Sequence, residues 1–218
     1  MKLLPDSIKL FLINRLLEII GISAILLSLF ILISVASHSN YDPSIFNLNN
    51  YEVKNIGGYL GANISETLLQ VFGYSSFIIC IILTSWAYKL FFSKSLELFA
   101  LNFLLLPITV LLLALFFEAT SLPISNGFIA TQLIIFVSET STATNNYLNS
   151  LFIILIFIFF IISFYFTMGL KLDEWKKFFK LLWQTVIACS SLIKKIVNIG
   201  MTRLTFESSQ RAFIEKNE

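Results

Sequence analysis

The chain has 218 residues, of which 57% are hydrophobic and 13% charged, about half the charged share of an ordinary soluble domain. Its apolar residues fall in long blocks, with 23 phenylalanines among them. A water-soluble globular fold with one core is excluded, and a net charge of +2 carries less information than where the charges stand.

Met1 to Glu18 reads as a short amphipathic lead-in with Lys2, Lys9 and Arg15. A first span is predicted over residues 19–37. Its apolar block is too long for a signal-peptide core and lacks a convincing cleavage site, so it is expected to be retained. The segment from His38 to Glu66 is predicted to be a polar loop, with turn signals at Asp42-Pro43-Ser44 and Gly57-Gly58. A second span is predicted over 68–88, followed by a connector from Lys89 to Glu97. The third span, 98–117, contains Pro107, which is expected to kink it. A loop runs from Glu118 to Tyr147, with Pro123 and Gly127 as turn signals, and a fourth span covers 148–170. Each span is close to the roughly 20 residues that a 30 Å hydrocarbon layer requires.

Residues 171–204 alternate Trp175, Phe179 and Trp183 with Lys176, Lys177 and Lys180. That pattern suits an amphipathic helix lying among lipid headgroups, with its tryptophans and lysines as lipid contacts. A fifth span is disfavoured, because the uncharged run there is too short. Residues 205–218 read as a polar tail or the start of a linker. The expected architecture is therefore all-α and integral to the membrane: a four-transmembrane-helix bundle, 1–170, plus a C-terminal amphipathic interfacial helix.

Of the 15 basic residues, 14 lie in the lead-in, the 89–97 connector and the segment after the fourth span; only Lys54 lies in the other two loops. By the positive-inside rule both termini face the cytoplasm, and the two longer loops face the periplasm or cell exterior.

Chemistry-bearing patterns are lacking. None of the eight glycines opens a phosphate-binding loop. There is no HExxH, GxSxG, CxxC or Cys/His cluster, and Cys80 and Cys189 read as small apolar residues. Catalytic, cofactor and metal sites are all expected to be absent. His38 reads as a boundary residue at the outer end of the first span. Glu18, Glu66, Glu97 and Glu118 fall at span edges, and no ionisable residue lies at mid-depth. That disfavours the alternative of a small four-span transporter or channel. Gly57, Gly58, Gly61 and Ala62 have small-xxx-small spacing, which fits helix packing or association, and equally a glycine turn. Gly169 is expected to tolerate enlargement better. Gly58-Tyr59-Leu60-Gly61 and Gly127-Phe128-Ile129-Ala130 hint at a duplicated helical hairpin.

Three ordered motifs carry a resemblance. They are Ser39-Asn40-Tyr41-Asp42-Pro43-Ser44, Asn55-Ile56-Gly57-Gly58-Tyr59-Leu60-Gly61-Ala62, and Leu68-Leu69-Gln70-Val71-Phe72-Gly73-Tyr74-Ser75-Ser76-Phe77. With their placement around the first two spans, they resemble the N-terminal four-span domain of the FtsK/SpoIIIE DNA translocases over residues 10–172. The loop of Asp42, Pro43 and Ser44 belongs to that motif set; Ala130 departs from it, where a second glycine is expected. The resemblance implies a membrane anchor at the bacterial division septum, acting in cell division and chromosome segregation. It implies self-association and septal division proteins as partners besides the lipid bilayer. In that family a linker joins the membrane domain to a cytoplasmic hexameric ATPase. The sequence reaches Glu218 without a motor motif, so neither ATP hydrolysis nor direct nucleic-acid binding is expected of it. A membrane assembly protein unrelated to DNA is the remaining alternative.

Overall fold

The computed structural model describes residues 5–48, 51–94, 99–120, 127–140, 146–188, 190, 191 and 194. Every regular element among them is helical. In order they are α1 (Asp6–Ala36), α2 (Gly58–Phe72), a 3₁₀ turn (Gly73–Ser76), α3 (Phe77–Tyr88), a π turn (Lys89–Ser93), α4 (Phe99–Ala119), α5 (Phe128–Thr140) and α6 (Asn146–Met168). Four helical stretches are long and apolar enough to cross a bilayer: Ser7–Ala36, Gly58–Ser93, Phe99–Ala119 and Ser150–Met168. The chain is a multi-pass membrane protein.

The chain divides into two units, Met1–Leu170 and Lys171–Glu218. Within the first, α1 packs on α3 and α4 packs on α6. The faces turned away from these contacts stay apolar, as with Leu26 on α1 and Phe159 on α6, because their solvent is lipid.

The sequence places the first helix at 19–37, whereas α1 starts at Asp6 and takes in most of the lead-in. Arg15 then pairs with Glu18 at 2.6 Å, and Glu18 with Lys94 at 3.1 Å. These charges mark the basic end of the bundle. Pro107 sits inside α4 without ending it. The expected loop 118–147 contains a helix, α5.

The second span also differs from its expected extent of 68–88. Gly73, at φ 64°, ends α2, and a 3₁₀ turn separates it from α3. A helix returning down α1 would meet residues nearer the α1 N-terminus with each turn. Gly21 lies against Ala87 and Leu90, and Ser28 bonds the Cys80 carbonyl and Thr84, so α3 does descend. Gly57 and Gly61, however, both lie against Ser34, and Ser65 and Glu66 lie against His38. Along its length α2 therefore advances toward the α1 C-terminus and crosses the end of that helix. Glu18 and His38 are about 20 residues apart, about 30 Å at helical rise. That is about the thickness of a hydrocarbon layer, and α2 lies at the end of α1 opposite those charges.

In the second unit, residues 172–188 are helical. The Lys171 backbone N–H donates to the Glu174 carboxylate at 2.8 Å, half of a capping box. The expected helix end beyond 194, the tail 205–218, and Cys189, Glu97 and Pro123 lie outside the described residues.

Candidate functional site

The loop between α1 and α2 is built around Asp42. Its side chain is 3% exposed, and its two oxygens accept the backbone N–H groups of Lys54 at 2.8 Å and Asn55 at 2.9 Å. A buried carboxylate needs such charge-assisted partners, since its desolvation is otherwise uncompensated. Pro43 follows. Ser44 closes the turn, with its backbone exchanging hydrogen bonds with Asn47 and its hydroxyl accepting the Asn47 N–H at 3.1 Å.

Asn55, pulled inward by Asp42, ties this turn to the helices. Its Nδ2 donates to the Ser34 carbonyl at 2.8 Å and to Ser65 Oγ at 3.3 Å, and its Oδ1 accepts the Gly57 N–H at 2.9 Å. The Ser34 carbonyl lies in the last turn of α1, where the intrahelical donors run out. Nearby, the Ile56 N–H donates to Ser37 Oγ and the Ile45 N–H to Asn63 Oδ1. The loop thus satisfies its own backbone and the open end of α1 together.

The small residues of α2 are part of this packing. A Cβ on Gly61 would stand 2.5 Å from Asn55 Oδ1 and 2.9 Å from Ser34 Oγ. One on Gly57 would stand 2.7 Å from Ser34 Oγ. Ala62 is buried on the same helix. Gly58 has open space around it and a φ of 64°, so its need for glycine is conformational. The face that the sequence offered for packing or association is thus occupied, at Gly57 and Gly61, by the chain's own first helix.

Beside this cluster, His38 reaches Ser65 Oγ at 3.3 Å, Asn40 Oδ1 at 3.0 Å and the Glu66 carboxylate at 3.5 Å. Gln70 donates to the other oxygen of Glu66 at 2.6 Å. With Thr131 and Phe128 of α5, His38, Asn40, Glu66 and Gln70 line an open cleft of about 370 Å³. Gly127, at φ 76°, brings α5 in so closely that a Cβ there would stand 2.5 Å from the backbone of Phe72 and Gly73.

A second polar cluster fastens the opposite end. Ser85 Oγ, Trp86 Nε1 and Lys89 Nζ donate in turn to the carbonyls of Met168, Thr167 and Gly169. These are the open carbonyls at the α6 C-terminus, where a cation is favoured by the helix dipole. Lys89 is only 8% exposed, although in the sequence it reads as one more basic residue of a connector. Trp86 also packs edge-on to Phe99 of α4 at 5.2 Å. Gly169 lies against the Asn102 amide and has a φ of 63°.

Sequence reasoning singled out Asp42 and the glycines but passed over Ser34, Ser65, Ser85, Trp86, Lys89 and Asn102. The available signal was the rarity of amide, hydroxyl and indole donors inside apolar blocks. Of the expected lipid contacts, Lys176, Lys177, Lys180 and Trp183 are exposed and Trp175 is half-buried. The Trp175 ring lies 5.4 Å from Phe179. Among the described residues no three metal-ligating side chains converge. The polar groups of both clusters face one another or open backbone groups, an arrangement that holds helices in place.

Over residues 14–183, more than half of the chain, the sequence matches the family described as the 4TM region of DNA translocase FtsK/SpoIIIE. No curated protein and no solved structure matches it.

Proposed function

The chain belongs to the family of four-span membrane regions of the FtsK/SpoIIIE DNA translocases, and from that membership we propose that it is the membrane anchor of such a translocase. In this reading it acts in bacterial cell division and chromosome segregation, held in the inner membrane at the septum. The family match carries the proposal. It spans the four helices and includes the Asp42 loop and the small-residue start of α2.

The anchor works by lateral contacts, with copies of itself and with septal division proteins, and performs no ATP chemistry. Two features support an anchor over a carrier. The hydroxyl of Thr109 on α4 bonds those of Ser163 and Thr167 on α6, and Lys89 is committed to an α6 carbonyl. Neither leaves an open polar path. The helix that starts at 172 rests on cytoplasmic headgroups through Trp175, Trp183 and the lysines at 176, 177 and 180.

The orientation follows from the basic residues and is tested with reporters. Fusions after Glu218 and inside 89–97 are expected to read as cytoplasmic. Fusions after Glu52 and Thr142 are expected to read as exported. A cytoplasmic signal at Glu52 overturns the arrangement.

A further inference from the structure

The α1–α2 loop reads as polar in its turns, yet its surface is not. Only Glu52 and Lys54 are charged between Pro43 and Ala62. Leu48 is 93% exposed, and Ile45 and Leu60 are 70% exposed each. Phe46, Tyr41 and Tyr59 are exposed as well. The backbone around them is fastened. Asp42 pins the backbone of 54 and 55, and Asn63 on α2 holds the backbone of Ile45. The apolar groups are thus displayed on a fastened scaffold, where a solvated loop would show polar ones.

We propose that residues 41–48 and 51–57, with the crossing helix α2, form a platform seated in the headgroup layer opposite the basic end of the bundle. Its partner is a lipid surface, the same bilayer that the spans cross. Three observations choose lipid. The depth is right: α2 crosses α1 at Ser34 to His38, about 30 Å from the Arg15–Glu18–Lys94 charges by helical rise. The surface is continuous with a lipid-facing one, since Leu29, Leu32 and Ile33 on the adjoining turns of α1 are exposed too. The composition is interfacial: tyrosines with aliphatic residues, and Lys54 placed 5.9 Å from the Tyr41 ring centre, where its ammonium can reach phosphate while its stem lies on apolar surface. Among the described helices of the membrane unit, α2 is also the most amphipathic. A helix of that kind lies in the membrane plane, sunk about 5–10 Å into the headgroup boundary.

The test uses the full chain in nanodiscs of phosphatidylethanolamine and phosphatidylglycerol, with Cys80→Ala and Cys189→Ala as background. Nitroxide labels at Leu48→Cys and, separately, Leu60→Cys are compared with one at Glu52→Cys, after circular dichroism shows each sample still helical. Power saturation with oxygen and with a water-soluble nickel chelate reads the depth. The expected result is high oxygen and low nickel access at 48 and 60, at a depth within the headgroup boundary, with nickel reaching 52. Nickel access at 48 and 60 equal to that at 52 overturns the proposal, since the segment then stands in water. Protection from both reagents also overturns it, since a second copy or another protein then covers the surface.

Discussion

In the first half of the membrane unit, α1 is followed by a loop, the left-handed Gly58, the short α2 and then α3, which ends in a π turn at the left-handed Lys94. In the second half, α4 leads through the left-handed Gly127 to the shorter α5 and then α6, which ends at the left-handed Gly169. The plan repeats, but the fastening does not. The first half closes on itself through Asp42, Asn55 and Ser34. The second packs α4 on α6 and is also tied to the first: α5 starts on the backbone of Gly73, and α6 ends on Ser85, Trp86 and Lys89. Its internal seam is the hydroxyl trio of Thr109, Ser163 and Thr167. Two halves with one plan thus need not be equal modules; here the first is a frame closed by its own loop, and the second is also tied to it at both ends.

Breaking the frame is expected to do most damage. Asp42→Ala strands two backbone N–H groups at the buried root of the loop, a loss of about 4 kcal/mol at 1–3 kcal/mol per orphaned group plus lost packing. Thermal unfolding in detergent checks it, together with faster proteolysis of the 38–57 loop.

Two of the left-handed glycines, Gly127 and Gly58, sharpen the comparison, because similar φ values meet different surroundings. Gly127→Ala meets the backbone of Phe72 and Gly73 and is expected to destabilise by about 3 kcal/mol, strain and overpacking combined. Gly58→Ala meets nothing and is expected to lose about 1 kcal/mol from backbone strain alone. Equal melting shifts would show that α5 does not dock on the break at Gly73.

Lys89→Met removes the cation from the α6 C-terminus while keeping most of the length of the side chain. A loss of about 1–2 kcal/mol is expected, with the readout a rise in hydrogen exchange at the end of α6. The smallest effect is expected from Thr109→Val, which deletes one member of the hydroxyl seam. Hydrogen bonds between helices in a bilayer average about 0.6 kcal/mol, and titration with a denaturing detergent reads a shift of that size.

The four crossings were legible because they rest on composition: an apolar block of about 20 residues has few alternatives to spanning lipid. The division of the second block was not. Gly73 sits inside a stretch that reads as one span, and nothing in a glycine's identity says that its φ will be positive. Helix α5 was hidden for the opposite reason, because Pro123 and Gly127 read as loop punctuation while Gly127 starts a helix. At the site, Asp42 and the small residues of α2 could be picked out as a pattern. Which surface the glycines face depends on the crossing of α1, a contact distant in sequence. Gly169 shows the same limit. Its place near the end of the fourth span made enlargement there look less harmful, yet its φ is 63° and the Asn102 amide fills the space beside it.

The anchor reading is tested most directly by imaging a fluorescently tagged chain in dividing bacteria. The account expects a band at midcell that forms with constriction, and Asp42→Ala is expected to weaken that band in proportion to the folded protein lost. Even staining of the whole membrane by the intact, stably inserted chain would contradict it.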